Sequence, residues 1–161
     1  MFEQTQQWFE LLSKDRSESA SMLEKPSMRG IQRSVVDKYS DQAHFIYELL
    51  QNADDVLATS AHFRLEDHGL FFTHNGTVRF TVSNPQTEES DSVIGTLGHI
   101  NAITSIANSN KTESSIGKFG VGFKAVFQYT KTPHIYDPEI QFKIERFSLP
   151  ENDWQRRTNV D

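Results

Sequence analysis

Cysteine is absent from the 161 residues of this chain. Its absence excludes a disulfide scaffold, a cysteine-ligated zinc finger, an iron–sulfur centre and a cysteine nucleophile, and it fits a reducing compartment. The sequence also lacks an apolar run of the roughly 18–20 residues that cross a bilayer. The first twelve residues contain two acids and no base, so a signal peptide is not expected. We therefore expect a cytoplasmic protein that does not engage a membrane.

Positive charge is scarce as well. Lys and Arg number 16 against 22 Asp and Glu, for a net charge of −6. Because proteins that bind nucleic acid usually neutralise phosphates with Lys and Arg, this balance argues against direct nucleic-acid binding by the chain, and a local basic patch is the alternative. With 36% hydrophobic and 24% charged residues, the composition is that of a folded protein and excludes a disordered one.

Composition divides the chain into three regions. Residues 1–29 begin with an amphipathic helix over 2–12 and continue as a Ser-rich linker over 13–29, so we expect an arm that either pads the domain or binds a partner. Residues 30–150 carry the apolar patterns of one folded domain. Residues 151–161 form a tail.

Apolar spacing within the domain predicts two main helices, five strands, a polar loop and a segment that begins with a short helix. The helices are expected over 40–58 and 119–129, the strands over 61–66, 69–74, 78–83, 132–137 and 140–148, a polar loop over 84–92, and a short helix followed by a mobile segment over 93–116. This order indicates an α+β fold in which helices cover one face of a mixed, mostly antiparallel sheet.

The helix predicted over 40–58 carries a polar stripe. Glu48, Asn52 and Asp55 stand at i, i+4 and i+7, which places them on one line at the edge of the apolar face. The Asn52 carbonyl oxygen suits Mg²⁺, and a neighbouring glutamate can deprotonate a water molecule. A solvated acidic face is the alternative, because this spacing alone is weak.

Glycine is concentrated around the start of the second helix. Gly117, Gly120 and Gly122 stand at i, i+3 and i+5, and backbone N–H groups of such a loop can approach an anion closely. A triphosphate is the natural ligand, although the spacing fits neither a P-loop nor a dinucleotide fingerprint. Tight packing of the loop is the alternative.

Three motifs taken together resemble the GHKL ATPase superfamily, which includes gyrase B subunits, MutL repair proteins, histidine kinases and the ninety-kilodalton heat-shock chaperones. They are ELLQNADDV (48–56), SIANSNK (105–111) and IGKFGVGFKAVF (116–127). The residues of these motifs are most similar to those of the chaperone-like branch, in particular sacsin-type ATP-binding domains. The resemblance covers about residues 30–148, and it implies the Bergerat fold, a two-layer α/β sandwich, with ATP and Mg²⁺ as cofactors.

The resemblance also implies a role for each matching residue. Glu48 corresponds to the general base, Asn52 to the Mg²⁺ ligand and Asp55 to an acidic residue of the nucleotide floor. Residues 93–116 correspond to an ATP lid. The phosphate-binding candidates are Ser109 and Lys111 in that lid, and Gly117, Lys118, Gly120, Val121, Gly122 and Phe123 in the glycine loop.

The superfamily's adenine motif, Asp-x-Gly-x-Gly, corresponds here to His74-Asn75-Gly76-Thr77-Val78. His74 replaces the aspartate, and Val78 replaces the second glycine. A neutral imidazole can still accept a hydrogen bond from the adenine amino group. The alternative is a two-residue hairpin turn, because Asn-Gly between alternating apolar runs favours one.

We expect, on this resemblance, a Mg²⁺-dependent ATP-binding module and slow ATPase. Closure of its lid would alter contacts with further domains of a longer chain or with a second copy. The domain is expected to lack the last elements of the fold. A degenerate module that binds nucleotide or protein without hydrolysis is the alternative, and the altered adenine motif favours it.

Overall fold

The computed structural model of the protein describes residues 3–31, 34, 44–105, 122–146 and 148–152. The helices are α1 (Glu3–Leu23), α2 (His44–Asp55), α3 (Glu88–Ile94) and α4 (His99–Thr104), and 3₁₀ helices cover Pro26–Met28, Pro85–Thr87 and Gly122–Gln128. The strands are β1 (Ala61–Glu66), β2 (Gly69–His74), β3 (His134–Tyr136), β4 (Gln141–Glu145) and β5 (Leu149–Asn152). All described strand pairs are antiparallel, and the predicted α+β class is confirmed.

The strands form two separate sheets, a β1-β2 hairpin and a three-stranded sheet in the order β3-β4-β5. In the hairpin, Phe63 lies opposite Phe72 and Leu65 opposite Leu70, so one face is apolar. Both hairpin strands have the predicted bounds, because their alternation is local and a two-residue turn joins them. The fifth strand, β5, lies partly in the predicted tail and was not expected.

The predicted strand over 78–83 is wrong, because residues 75–84 adopt neither helix nor strand. Their backbone groups bond to the start of α4 instead. The Ile100 N–H donates to the Thr81 carbonyl at 3.0 Å, and the Ser83 N–H donates to Asn101 Oδ1 at 2.8 Å. Val82 is buried between these contacts. The apolar alternation does mark a buried residue, Val82. The backbone hydrogen bonds that a neighbouring strand would have made are made by the start of α4 instead.

Residues 13–23, predicted as linker, are helical and continue α1 without a break. The buried positions of this helix recur every three or four residues along one face, and they are Phe9, Leu12, Arg16, Ala20 and Leu23. Apolar spacing does not predict this buried face, because its middle member is an arginine. No described helix has the length and apolar character that a membrane span requires.

The hydrophobic core lies between α1, α4 and the three-stranded sheet. Its members are Phe9, Leu12, Val82, Ile100, Ile103, Ile135, Ile140, Phe142 and Ile144. Phe142 is fully buried and meets Phe9 edge-on, with ring centroids 6.0 Å apart. The N-terminal helix is thus part of the core, since two of its side chains belong to the main cluster.

A buried polar network fixes α1 to the helices that follow the hairpin. The guanidinium of Arg16 donates to Glu88 Oε1 at 2.5 Å and to Asp15 Oδ2 at 2.6 Å. Asn101, which is fully buried, donates to the same Glu88 oxygen at 2.8 Å. Three helices therefore share one carboxylate, because α1, α3 and α4 each contribute one member.

Arg16→Ala should lower the free energy of unfolding by about 3 kcal/mol, because it leaves the Glu88 carboxylate without its cation. Arg146→Ala is the matched control. Arg146, which follows β4, also forms a 2.7 Å ion pair with Glu24, which follows α1. That pair is partly exposed to water, so its loss should cost less than about 1 kcal/mol. Urea unfolding of both variants measures the difference, and equal losses would contradict the assigned role of Arg16.

Candidate functional site

The predicted polar stripe lies along α2. Glu48 and Asn52 are half-buried, whereas Asp55 is exposed at the last residue of the helix. Ala53 and Val56 are buried on the adjoining arc. Glu48 and Asn52 thus stand at the border between the packed and solvated sides of α2, where a side chain can contact both a ligand and the protein.

The 3₁₀ helix Gly122–Gln128 packs along α2. The Phe45 and Tyr129 rings, with centroids 4.5 Å apart, join one end of the pair. The Glu48 side chain lies directly against Gly122, the first residue of the 3₁₀ helix. A Cβ added at Gly122 would overlap Glu48 Oε2 and Cδ and would lie 2.9 Å from Glu48 Cγ. The structure therefore brings together the predicted base and the third glycine of the loop.

The other loop candidates have different outcomes. Phe123 is half-buried and packs against the hydrophobic core cluster, with its ring centroid 6.5 Å from that of Phe127. Phe123 therefore anchors to the core the residue that directly follows Gly122. Six further candidates lie outside the described residues, and these are Ser109, Lys111, Gly117, Lys118, Gly120 and Val121.

Lys124 is a buried cation that sequence reasoning did not place in the interior. Burial lowers the pKa of its amine to about 7, and the nearby positive charge of Arg16 acts in the same direction. Its Nζ lies 5.5 Å from the centroid of the Phe127 ring. Lys124 follows Gly122 by two residues, so the charge of Arg16 in the buried network of α1 is felt close to the candidate site.

The C-terminus of α2 reaches a third predicted segment. The helix ends in a Schellman motif, in which Ala58 N–H donates to the Ala53 carbonyl at 2.9 Å and Leu57 has a φ of 56°. This ending turns Val56 toward Gly76. A Cβ at Gly76 would overlap Val56 Cγ2 and lie 3.1 Å from the Val56 carbonyl oxygen. Gly76 is thus required for the close approach of its own segment to α2.

Asn75 holds this segment to the start of the hairpin. Its Oδ1 accepts from the N–H groups of Thr59 and Ser60, each at 2.9 Å, and its Nδ2 donates to Thr59 Oγ1 at 2.8 Å. The two-residue hairpin interpretation is wrong, since no strand follows and Gly76 lacks the positive φ that such a turn requires. A base-binding role for the segment stays a prediction.

His74 uses one ring nitrogen within its own segment. Its Nδ1 accepts from the Gly76 N–H at 3.1 Å, so the neutral ring carries its proton on Nε2. The outer nitrogen is then a donor, and in this conformation the ring offers no acceptor to an adenine amino group. Partial burial lowers the pKa of His74.

We predict that His74 titrates below the value of about 6.5 found in an unfolded chain and that its neutral form is the Nε2–H tautomer. Because the folded pKa is lowered, the stability contributed by neutral His74 is present above about pH 6.5 and is lost as the pH falls toward the folded pKa. His74→Gln should therefore lose less stability than the wild type between about pH 7.5 and about pH 5.5. ¹⁵N-detected imidazole spectra and urea unfolding measure both effects, and an Nδ1–H tautomer would contradict the assignment.

The described residues contain no group of three or more His, Asp or Glu side chains that could cage a metal ion. Mg²⁺ does not require such a cage, because it commonly takes one or two protein oxygens together with phosphate oxygens and water. The half-buried Asn52, one turn from Glu48, provides a donor of this kind. The donor set thus fits a magnesium ion that arrives with a nucleotide.

Comparison with known protein families matches residues 25–144 to the Sacsin domain. The chain belongs to the Sacsin domain family. It is 31% identical over 135 residues to Protein NO VEIN of Arabidopsis thaliana and 28% identical over 127 residues to human Sacsin. These matches cover 78% and 70% of the chain but only 4% and 3% of the two relatives. No solved structure matches the chain with significance.

Proposed function

We propose that this Sacsin domain is a Mg²⁺-dependent ATP-binding module of the GHKL superfamily, with a Bergerat-type sandwich and slow ATPase activity. The observation that carries the proposal is the contact between Glu48 and Gly122. Glu48 and Gly122 are 74 residues apart in the sequence, and a different motif predicts each of them to lie at the nucleotide site. In the structure they lie against each other. Packing of Gly76 on the end of α2 brings a third motif to the same helix.

In the proposed reaction, the carboxylate of Glu48 orients and deprotonates the water that attacks the terminal phosphate. The carbonyl of Asn52 would hold Mg²⁺, and the bound ion would offset negative charge on the transferring phosphoryl group. Asp55, at the exposed end of the same helix, lines the nucleotide floor. The glycine loop contributes backbone N–H groups to the phosphates.

The first part of the predicted lid is wrong, because Ile100, Asn101 and Ile103 of α4 are buried in the core. We also propose that the rest of the 93–116 segment, after α4, acts as a lid whose closure alters contacts with further domains or with a second copy. The matched segments are small parts of two far longer relatives, which supports a module that works within a larger protein. In such a setting, ATP binding and slow hydrolysis can control how long the module stays associated with a neighbouring domain or a second copy.

A second candidate function is nucleotide or protein binding without hydrolysis. The observation that favours it is the hydrogen bond from the Gly76 N–H to His74 Nδ1. This bond occupies the acceptor nitrogen that the altered adenine motif would need. Retention of Glu48 and Asn52 on α2 favours the ATPase over this alternative.

Asn52→Ala should abolish Mg²⁺-dependent ATP binding without unfolding the protein, because it removes the proposed metal ligand and no core group. Gln51→Ala is a matched control, since Gln51 is an exposed carboxamide on the same helix and off the stripe. Calorimetry with ATP, with and without Mg²⁺, measures the effect. Unchanged Mg·ATP affinity in folded Asn52→Ala would contradict the assignment.

Glu48→Gln should keep the ATP affinity within about tenfold and lower turnover by about 10²-fold or more, the scale of general-base loss. Asp54→Asn, an exposed acid of α2, should leave both unchanged. Steady-state phosphate release measures turnover. If the wild type binds Mg·ATP but shows no turnover above the Glu48→Gln variant, the second candidate function replaces the first.

A further inference from the structure

We infer that Gly122 is a positioning residue for Glu48. The Glu48 carboxylate can lie where it does only because residue 122 has no side chain. The inference rests on the proposed function, since it assigns Gly122 to the base of that reaction. It differs from the role that the glycine loop would otherwise have, which is to present backbone N–H groups to phosphate.

The surroundings of Gly122 differ from those of the other close-packed glycines. A Cβ at Gly98 would lie 2.5 Å from the backbone nitrogen of Ser83, and one at Gly76 would press on Val56. Both positions are limited by parts of the fold that cannot easily move. At Gly122, all three nearest atoms belong to the outer part of the Glu48 side chain.

This difference decides what a methyl group at position 122 would do. A glutamate side chain has three rotatable bonds, so it can turn away from an introduced Cβ while the backbone stays in place. The carboxylate would have to move by more than about 1 Å to regain van der Waals separation. We therefore expect Gly122→Ala to fold, and to fold with Glu48 displaced.

Displacement of the base has a distinct kinetic consequence. Misplacement by about 1 Å can cost about 10²-fold in rate, because proton abstraction depends on the geometry of attack. Alanine keeps the N–H of residue 122, so a backbone contact to phosphate survives the substitution. The loss should therefore fall on turnover and spare the affinity for ATP.

The first arm of the test is kinetic. Gly122→Ala should lower turnover by about 30-fold or more with the Kd for Mg·ATP within about threefold of the wild type. Combining it with Glu48→Gln should cause no further loss, because both variants remove the same positioned carboxylate. Gly69→Ala, at a site with open space around a Cβ, is the control. Weakened ATP binding, or losses that multiply in the double variant, would overturn the inference.

The second arm needs no ATP. In ¹⁵N-labelled protein without ligand, Glu48→Gln should shift the amide resonance of Gly122 more than those of Gly69 and Gly95, because the charge removed lies beside Gly122. An unresponsive Gly122 amide overturns the inference whatever the protein does with ATP. If the wild type does not bind Mg·ATP, the proposed function fails, and the amide response still decides whether Glu48 contacts Gly122.

Discussion

The guanidinium of Arg16 is enclosed by protein, and its pairing with Glu88 is the constraint on which the arrangement of the helices depends. A charge in this position is stable only if a counter-charge and hydrogen-bond acceptors meet it. Glu88, Asp15, the Asn101 carbonyl and Thr104 supply them. Because these partners come from α1, α3 and α4, none of the three helices can move away without exposing an unpaired group to the interior.

The network also reaches the candidate site. Lys124 lies within the electrostatic influence of Arg16 and follows Gly122 by two residues. Neutralisation of this amine near pH 7 lets two basic side chains share one part of the interior. The electrostatic influence of Arg16 on Lys124 therefore relates the N-terminal helix to the 3₁₀ helix against which Glu48 lies.

Local patterns predicted local structure well. The strands β1 and β2 and the central helix follow from residue spacing that needs no distant partner. The strand over 78–83 was mispredicted because its backbone bonds to α4, and the length of α1 was missed because an arginine occupies its buried face. The meeting of Glu48 and Gly122 was implied by the family resemblance. The bonds of Asn75 were not, since they depend on the loop that precedes β1, and the bond from the Gly76 N–H to His74 was not, since a motif does not show which ring nitrogen a histidine uses.

The packing of α1 on β5 bears on how this domain should be delimited. The stretch shared with the Sacsin family runs from residue 25 to residue 144, which omits both elements. Yet Phe9 and Leu12 of α1 lie in the main core cluster, and Leu149 of β5 is buried. A protein cut to the family limits would leave the faces of Phe142 and Ile144 open to water. Such a fragment would be prone to aggregate, and a failure to bind nucleotide would then reflect its truncation rather than its chemistry.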